Sequence, residues 1–281
     1  MSTFTVAWDD FRNARRSQIV LAVIGVFTGL VSLIFFAEMN QFDDPYRTLY
    51  DVMVFTMFVF PLFLAPLAYR SIAGDRISGT IKFVMGLPNR RREYFLGKLA
   101  SRLGVAGAAV LLSLLVGFVI SAATFTNFPD PVRFLKLAAL SVLYVLSFVS
   151  LFVAISAATA SRSRAMFGAI GAYFLLIPFW FGFLPLLNLG TILDATTGFL
   201  GVDLSQDTRA YINLISPATA YHQSTKTVFS GLFEQYVPIA ERYAKEDELY
   251  AETWFSVLVM LVWTVGSLTL GYLQFKRSEL G

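Results

Sequence analysis

Asp75, Arg76, Ser78, Gly79 and Thr80 stand together in the run GDRISGT, and Arg90, Arg91, Arg92 and Lys98 follow within the same stretch, Gly74–Lys98. These residue types recognise surfaces rather than make and break bonds. An arginine forks onto a carboxylate, an aspartate accepts from an N–H at a helix start or pairs with a cation, and Ser-Gly lets another surface approach closely. Catalytic chemistry has little to work with elsewhere. Cysteine is absent and His222 is the single histidine. That excludes a thiol nucleophile, a thiolate metal site and a histidine cluster, and it disfavours a Ser-His-Asp hydrolase. A lone histidine is more often a surface or hydrogen-bonded residue than a ligand. The nucleotide-phosphate pattern Gly-x-x-x-x-Gly-Lys-Ser/Thr is missing too, since Gly97-Lys98-Leu99 lacks the hydroxyl and the earlier glycine. No catalytic, metal or cofactor-binding residue is therefore expected, and any work done must draw its energy from another chain.

The elements that hold this stretch follow from its pattern. Ile77, Ile81 and Val84 recur at helical spacing, which predicts an amphipathic helix. Gly86-Leu87-Pro88 would end it, and Asn89 would cap a second helix. A basic helix-turn-helix at a membrane face suits a soluble partner or lipid head groups. The plainer alternative is a solvated loop whose charge only sets topology.

The rest of the chain supplies the membrane. Of 281 residues, 56% are hydrophobic and 15% charged, and mean hydropathy is +0.64; soluble domains carry about 25% charged residues. The expected fold is an all-α polytopic membrane protein, one permease-like domain over residues 1–281. Ser2–Arg16 reads as an interfacial amphipathic helix, with Phe4, Ala7, Trp8 and Phe11 on one face and Asp9, Arg12, Arg15 and Arg16 wet. Six apolar spans are expected: Gln18–Ala37, Tyr50–Ile72, Leu103–Phe125, Phe134–Ala158, Ala165–Leu189 and Trp254–Gln274. Each is close to the roughly 20 residues that a bilayer core requires. Pro61, Pro66, Pro178 and Pro185 should kink the second and fifth. Gly25-x-x-x-Gly29 is a weak signal for close packing. The first apolar run is long enough to span and lacks a cleavage-like exit, so no cleavable signal is expected.

Basic residues set the orientation. Fifteen of the 22 fall on the side of the termini and of Gly74–Lys98, and seven (Arg47, Arg133, Lys136, Arg209, Lys226, Arg242, Lys245) on the other. The positive-inside rule puts both termini in the cytoplasm of a cell-membrane protein. The outer segment, 190–253, mixes nine acidic residues with apolar ones and predicts short helices on, or dipping into, the outer leaflet, with a helix from Pro238 feeding the last span. No ionisable residue falls at mid-membrane depth; Asp51, Arg70 and Lys136 lie near span ends. That argues against ion-coupled carriers, charge-ringed channels and intramembrane proteases.

The sequence resembles the type-2 ABC transporter permeases, the membrane subunits of ATP-driven exporters. The resemblance rests on Asp75-Arg76-x-Ser78-Gly79-Thr80, Leu87-Pro88-Asn89-Arg90-Arg91 and Gly97-Lys98, and the whole plan of spans matches. Asp75 stands where that family more often has Glu, and Asn89 where Ser is common. The plain outer connection resembles the simpler prokaryotic members, including the permease associated with maturation of nitrous oxide reductase, and Pro217 in Ser216-Pro217-Ala218 resembles a proline that those members carry. The resemblance implies that Gly74–Pro88 is a coupling helix docking on a separate ATPase subunit, which binds ATP and Mg. It implies coupling residues Asp75, Arg76, Ser78, Gly79, Thr80, Leu87, Pro88, Arg90 and Arg91, a second permease copy completing a homodimer, and contact with lipids but not nucleic acid. A membrane scaffold or assembly factor recruiting a cytoplasmic protein is the alternative, and an enzyme using outer-side carboxylates a more remote one.

Overall fold

A computed structural model describes residues 3–15, 17–86, 90–241, 243 and 249–278. Its helices are α1 (Thr3–Arg15), α2 (Gln18–Glu38), α3 (Tyr46–Ala68), α4 (Ala73–Ile77), α5 (Thr80–Gly86), α6 (Arg91–Thr124), α7 (Pro131–Ala158), α8 (Arg162–Leu176), α9 (Leu189–Leu200), α10 (Gln206–Leu214), α11 (Pro217–Ser224), α12 (Lys226–Phe229), α13 (Val237–Ala240) and α14 (Thr253–Arg277). No strand occurs among the described residues. Local sequence explains several starts. Asp130 accepts from Val132 N at 2.8 Å with Pro131 at the first helical position of α7, and Asn188 and Ser205 cap α9 and α10 in the same way.

Among the described residues, five helices are long and apolar enough to cross a membrane: α2, α3 with its continuation to Ile77, α6, α7 and α14. The fifth expected span, Ala165–Leu189, is not one continuous helix. Its helix α8 has 15 residues and stops at Leu176, and residues 177–188 are turns, bends and irregular chain. Pro178 is the cause, because it cannot donate to Phe174 O and it pushes Ile177 out of helical geometry (φ −123°, ψ −79°). The freed groups are satisfied inside the protein, as the low-dielectric setting demands. Phe179 N donates to Phe174 O at 3.0 Å, and Ser216 Oγ donates to Leu176 O at 2.6 Å.

Within α3, Pro61 leaves the Met57 carbonyl without its usual donor, and Tyr144 OH of α7 fills the gap at 2.6 Å. The core lies where α7 meets α14, α3 and α6, and it is rich in buried aromatic rings, among them Phe60, Phe95, Tyr144, Phe148 and Phe152.

The outer segment also differs from expectation. Of its short helices, α11 is not at the surface but inside the bundle, among α3, α7 and α14, with Tyr221 stacked on Tyr144 at 4.5 Å and hydrogen-bonded to Ser141 Oγ at 2.7 Å. The expected helix from Pro238 into the last span is not formed: α13 ends at Ala240 and α14 starts afresh at Thr253. Gly25 and Gly29 face open space rather than a neighbouring helix.

Candidate functional site

The chemistry-bearing stretch forms an elbow. The expected single amphipathic helix is two short ones, α4 and α5, hinged at Ser78-Gly79. Gly79 has φ +72°, a left-handed turn that residues with a Cβ resist. The turn rephases the helix, so Ile77, Ile81 and Val84 no longer share a face: Ile81 is buried, Val84 half-buried and Ile77 56% exposed. Leu87, Pro88 and Asn89, two of them expected coupling residues and the third the expected cap, lie outside the described residues. At the start of α6 the capping position falls on Arg90, whose backbone N donates to Glu93 Oε2 at 2.9 Å.

The inner side of the elbow is bolted to four helices. Ser156 Oγ of α7 accepts from Ile72 N and Ala73 N at 3.1 and 3.0 Å and donates to Tyr69 O at 2.7 Å. Asp75 accepts from Tyr94 OH at 2.5 Å and pairs with Lys98 at 2.7 Å, both on α6. Lys98 also pairs with Asp10 of α1 at 2.6 Å, and Arg102 reaches Asp10 at 3.2 Å. Burial alone would raise the Asp10 carboxyl, but the charges of Lys98 and Arg102 outweigh it and hold it below its ordinary value. Gly97 makes the approach of α1 possible, since a Cβ there would fall 2.7 Å from Val6 Cβ. Arg76 donates to Thr159 O at the end of α7 (3.1 Å) and to Ser278 Oγ after α14 (2.5 Å), with its guanidinium 5.5 Å from the Phe275 ring centre. Arg91 donates to the carbonyls of Phe275, Lys276 and Ser278 at 2.8–2.9 Å. Both arginines meet the negative end of a helix dipole.

Asp75, Arg76 and Arg91 are thus engaged within the chain rather than presented outward. Ser78, Thr80 and Arg90 are exposed, with Ser78 Oγ and Thr80 Oγ1 2.8 Å apart. Sequence reasoning missed the most exposed large side chain of the elbow, Phe83, at 81%. It also missed Tyr94, Asp10 and Ser156, whose roles are tertiary; the available signal for Phe83 was its place beside Lys82, off the Ile77-Ile81-Val84 register of the expected apolar face. Phe4 and Trp8 of α1 are exposed and stack in line with Phe11, ring centres 6.3 and 6.4 Å apart, which matches the expected apolar face.

No curated protein matches the chain. The family model described as ABC-2 family transporter protein matches residues 4–280. With nearly its whole length matched, the chain belongs to the ABC-2 transporter family and is a multi-pass membrane subunit of an ABC transporter.

Proposed function

We propose that the chain is an export permease of the cell membrane, that its α4–α5 elbow docks in a groove of a separate cytoplasmic ATPase subunit, and that a second copy of the chain completes the path as a homodimer. ATP and Mg belong to the ATPase. The observation that carries this reading is the two-sidedness of the elbow. Its outer side offers Phe83 and Ile77 as apolar anchors among polar residues. Its inner side is fixed by Asp75, Arg76 and Ser156 to α6, α7 and α14. A docked partner that moves Phe83 therefore pulls on three long helices, which is the requirement for coupling two sites through a two-state element. Buried aromatic anchors dominate binding at such interfaces. The excess of basic residues on the elbow side supports a cytoplasmic location for that side and for both termini.

The experiment separates docking from transmission. Phe83→Asp should abolish co-purification with the transporter's separate ATPase subunit, and with it efflux from reconstituted vesicles. Arg76→Gln with Asp75→Asn should retain ATPase binding but lose the stimulation of efflux. Wild-type binding, efflux and stimulation in both variants would reduce the elbow to a topology loop. Binding without any ATP-driven efflux in the wild type would favour a scaffold.

A further inference from the structure

A cleft of about 910 Å³ opens at the outer end of the bundle, far in sequence from the elbow, between α3, the turns after α8, α10 and α11. Its volume falls within the range of about 300–1,000 Å³ typical of small-molecule sites. Six aromatic rings line it: Tyr50, Phe58, Phe181, Phe183, Tyr243 and Tyr250. Phe181 and Phe183 pack edge-on against Phe58 at 5.0 and 5.1 Å, and His222 lies flat on Tyr243 at 4.5 Å, with its Nε2 3.4 Å from Tyr50 OH. The break at Pro178 is what brings Phe181 and Phe183 to this wall.

Among the described residues, the aspartate, glutamate, lysine and arginine side chains lining the cleft have one sign, negative. Asp207 and Glu241 line it and are exposed, and no lysine or arginine lines it among the described residues. Arg47, 5.7 Å from the Tyr50 ring, is paired with Asp51. The whole outer segment, 190–253, is acidic by sequence, with nine carboxylates against Arg209, Lys226, Arg242 and Lys245. The second observation is Gln223. Its side chain lines the cleft, the residue is only 7% exposed, and its Oε1 is buried without a hydrogen-bond partner among the described residues. Buried acceptors are nearly always paired, so an orphan at a cavity wall marks a place for a donor or a positive group.

From this juxtaposition we infer that the cleft binds an apolar organic cation, an amine or onium compound carrying hydrocarbon or aryl groups. The rings take the apolar body and meet the positive charge with their negative faces. Asp207 and Glu241 draw the cation in, and the Gln223 amide in the cleft wall supplies the one nearly buried acceptor that lacks a partner there. The inference rests on the reading of the chain as the translocating subunit and deepens it by naming the substrate class and its outer station.

The test uses tetraphenylphosphonium and the near-isosteric anion tetraphenylborate, measured by equilibrium dialysis on the purified full chain in detergent without any ATPase. Tetraphenylphosphonium should bind saturably, one per chain, while tetraphenylborate shows only non-saturating partition into micelles. The double variant Asp207→Asn, Glu241→Gln should bind tetraphenylphosphonium at least about tenfold more weakly, and both positions are exposed, so the fold is not at stake. Gln223→Leu should also weaken cation binding without raising binding of the anion. Equal binding of the two ions, or wild-type affinity in both variants, overturns the inference. Because the ATPase is absent from this assay, failure of elbow docking leaves its outcome untouched, and loss of cation binding with coupling intact overturns this inference alone.

Discussion

Lys98 shows how one side chain ties the sequence motif together. In the sequence, Asp75 and Gly97-Lys98 are separate marks; in the structure Lys98 lies between Asp10 and Asp75 and is 91% buried, while Gly97 makes room for the helix that carries Asp10. The pairing was not legible, because 88 residues separate Asp10 from Lys98 and charge alone does not name a partner. Removing one member of a buried ion pair leaves the other uncompensated, which costs about 3–5 kcal/mol. Lys98→Ala leaves two carboxylates, of which Asp10 keeps Arg102, so the lower end of that range is expected, read as a fall in thermal unfolding temperature in detergent. The pH dependence has a definite sign. The folded-state pKa of Asp10 is depressed, so its contribution is complete above the ordinary carboxylate range and disappears as pH falls through the folded value. Attachment of α1, followed by a cross-link from α1 to α6, should be constant between about pH 6 and pH 8 and weaken only below about pH 4. An Asp10→Asn chain should lack that acid-dependent step; a cross-link lost already near neutrality would contradict the charge balance described.

At the scale of elements, proline decides more than hydropathy. The spans of α2, α7 and α14 were readable because each apolar run ends where charge or turn residues begin. In the fifth the helix was read too long, because Phe179–Leu187 continues the apolar run past Pro178, where the structure breaks the helix rather than kinking it. Likewise α11 has a sequence that suits a surface, and only its neighbours bury it. Pro61 behaves differently from Pro178, for a reason visible in the partners. The carbonyl it frees, Met57 O, receives Tyr144 OH across the α3–α7 contact, and α3 continues as a helix. Tyr144→Phe removes that donor and leaves a fully buried acceptor unmet. The expected loss is about 1–2 kcal/mol, the scale of interhelical hydrogen bonds in membranes, with α3 and α7 separating more readily on proteolysis. A mutant as stable as the parent would show that α3 meets the Pro61 defect by itself.

At the scale of the molecule, the ends of the helices fix the number of crossings. The C-terminus of α14 meets Arg91, and α1 meets Lys98 and Arg102, so the first helix and the end of the last helix both lie at the elbow. The end of α7 lies there too, since Arg76 reaches Thr159. The start of α7 lies at the other end, where Asp130 N donates to Tyr46 OH at the start of α3. The chain must therefore run back to the other end of the bundle between Thr159 and Thr253, although among the described residues five helices are long and apolar enough to cross a membrane alone. α8, with 15 residues at 1.5 Å per residue, reaches about 22 Å of a core about 30 Å thick. The turns after Pro178 and the buried α11 must supply the remainder, in protein surroundings that satisfy their backbone groups. This yields a labelling prediction that the absence of native cysteine makes clean. A cysteine at Ser78, on the exposed side of the elbow, should react only from the cytoplasmic face. One at Ser205, the cap of α10, should react only from the outer face. Labelling of both from one face would mean that α8 enters and leaves on the same side, and the cleft beside α10 would then not open outward.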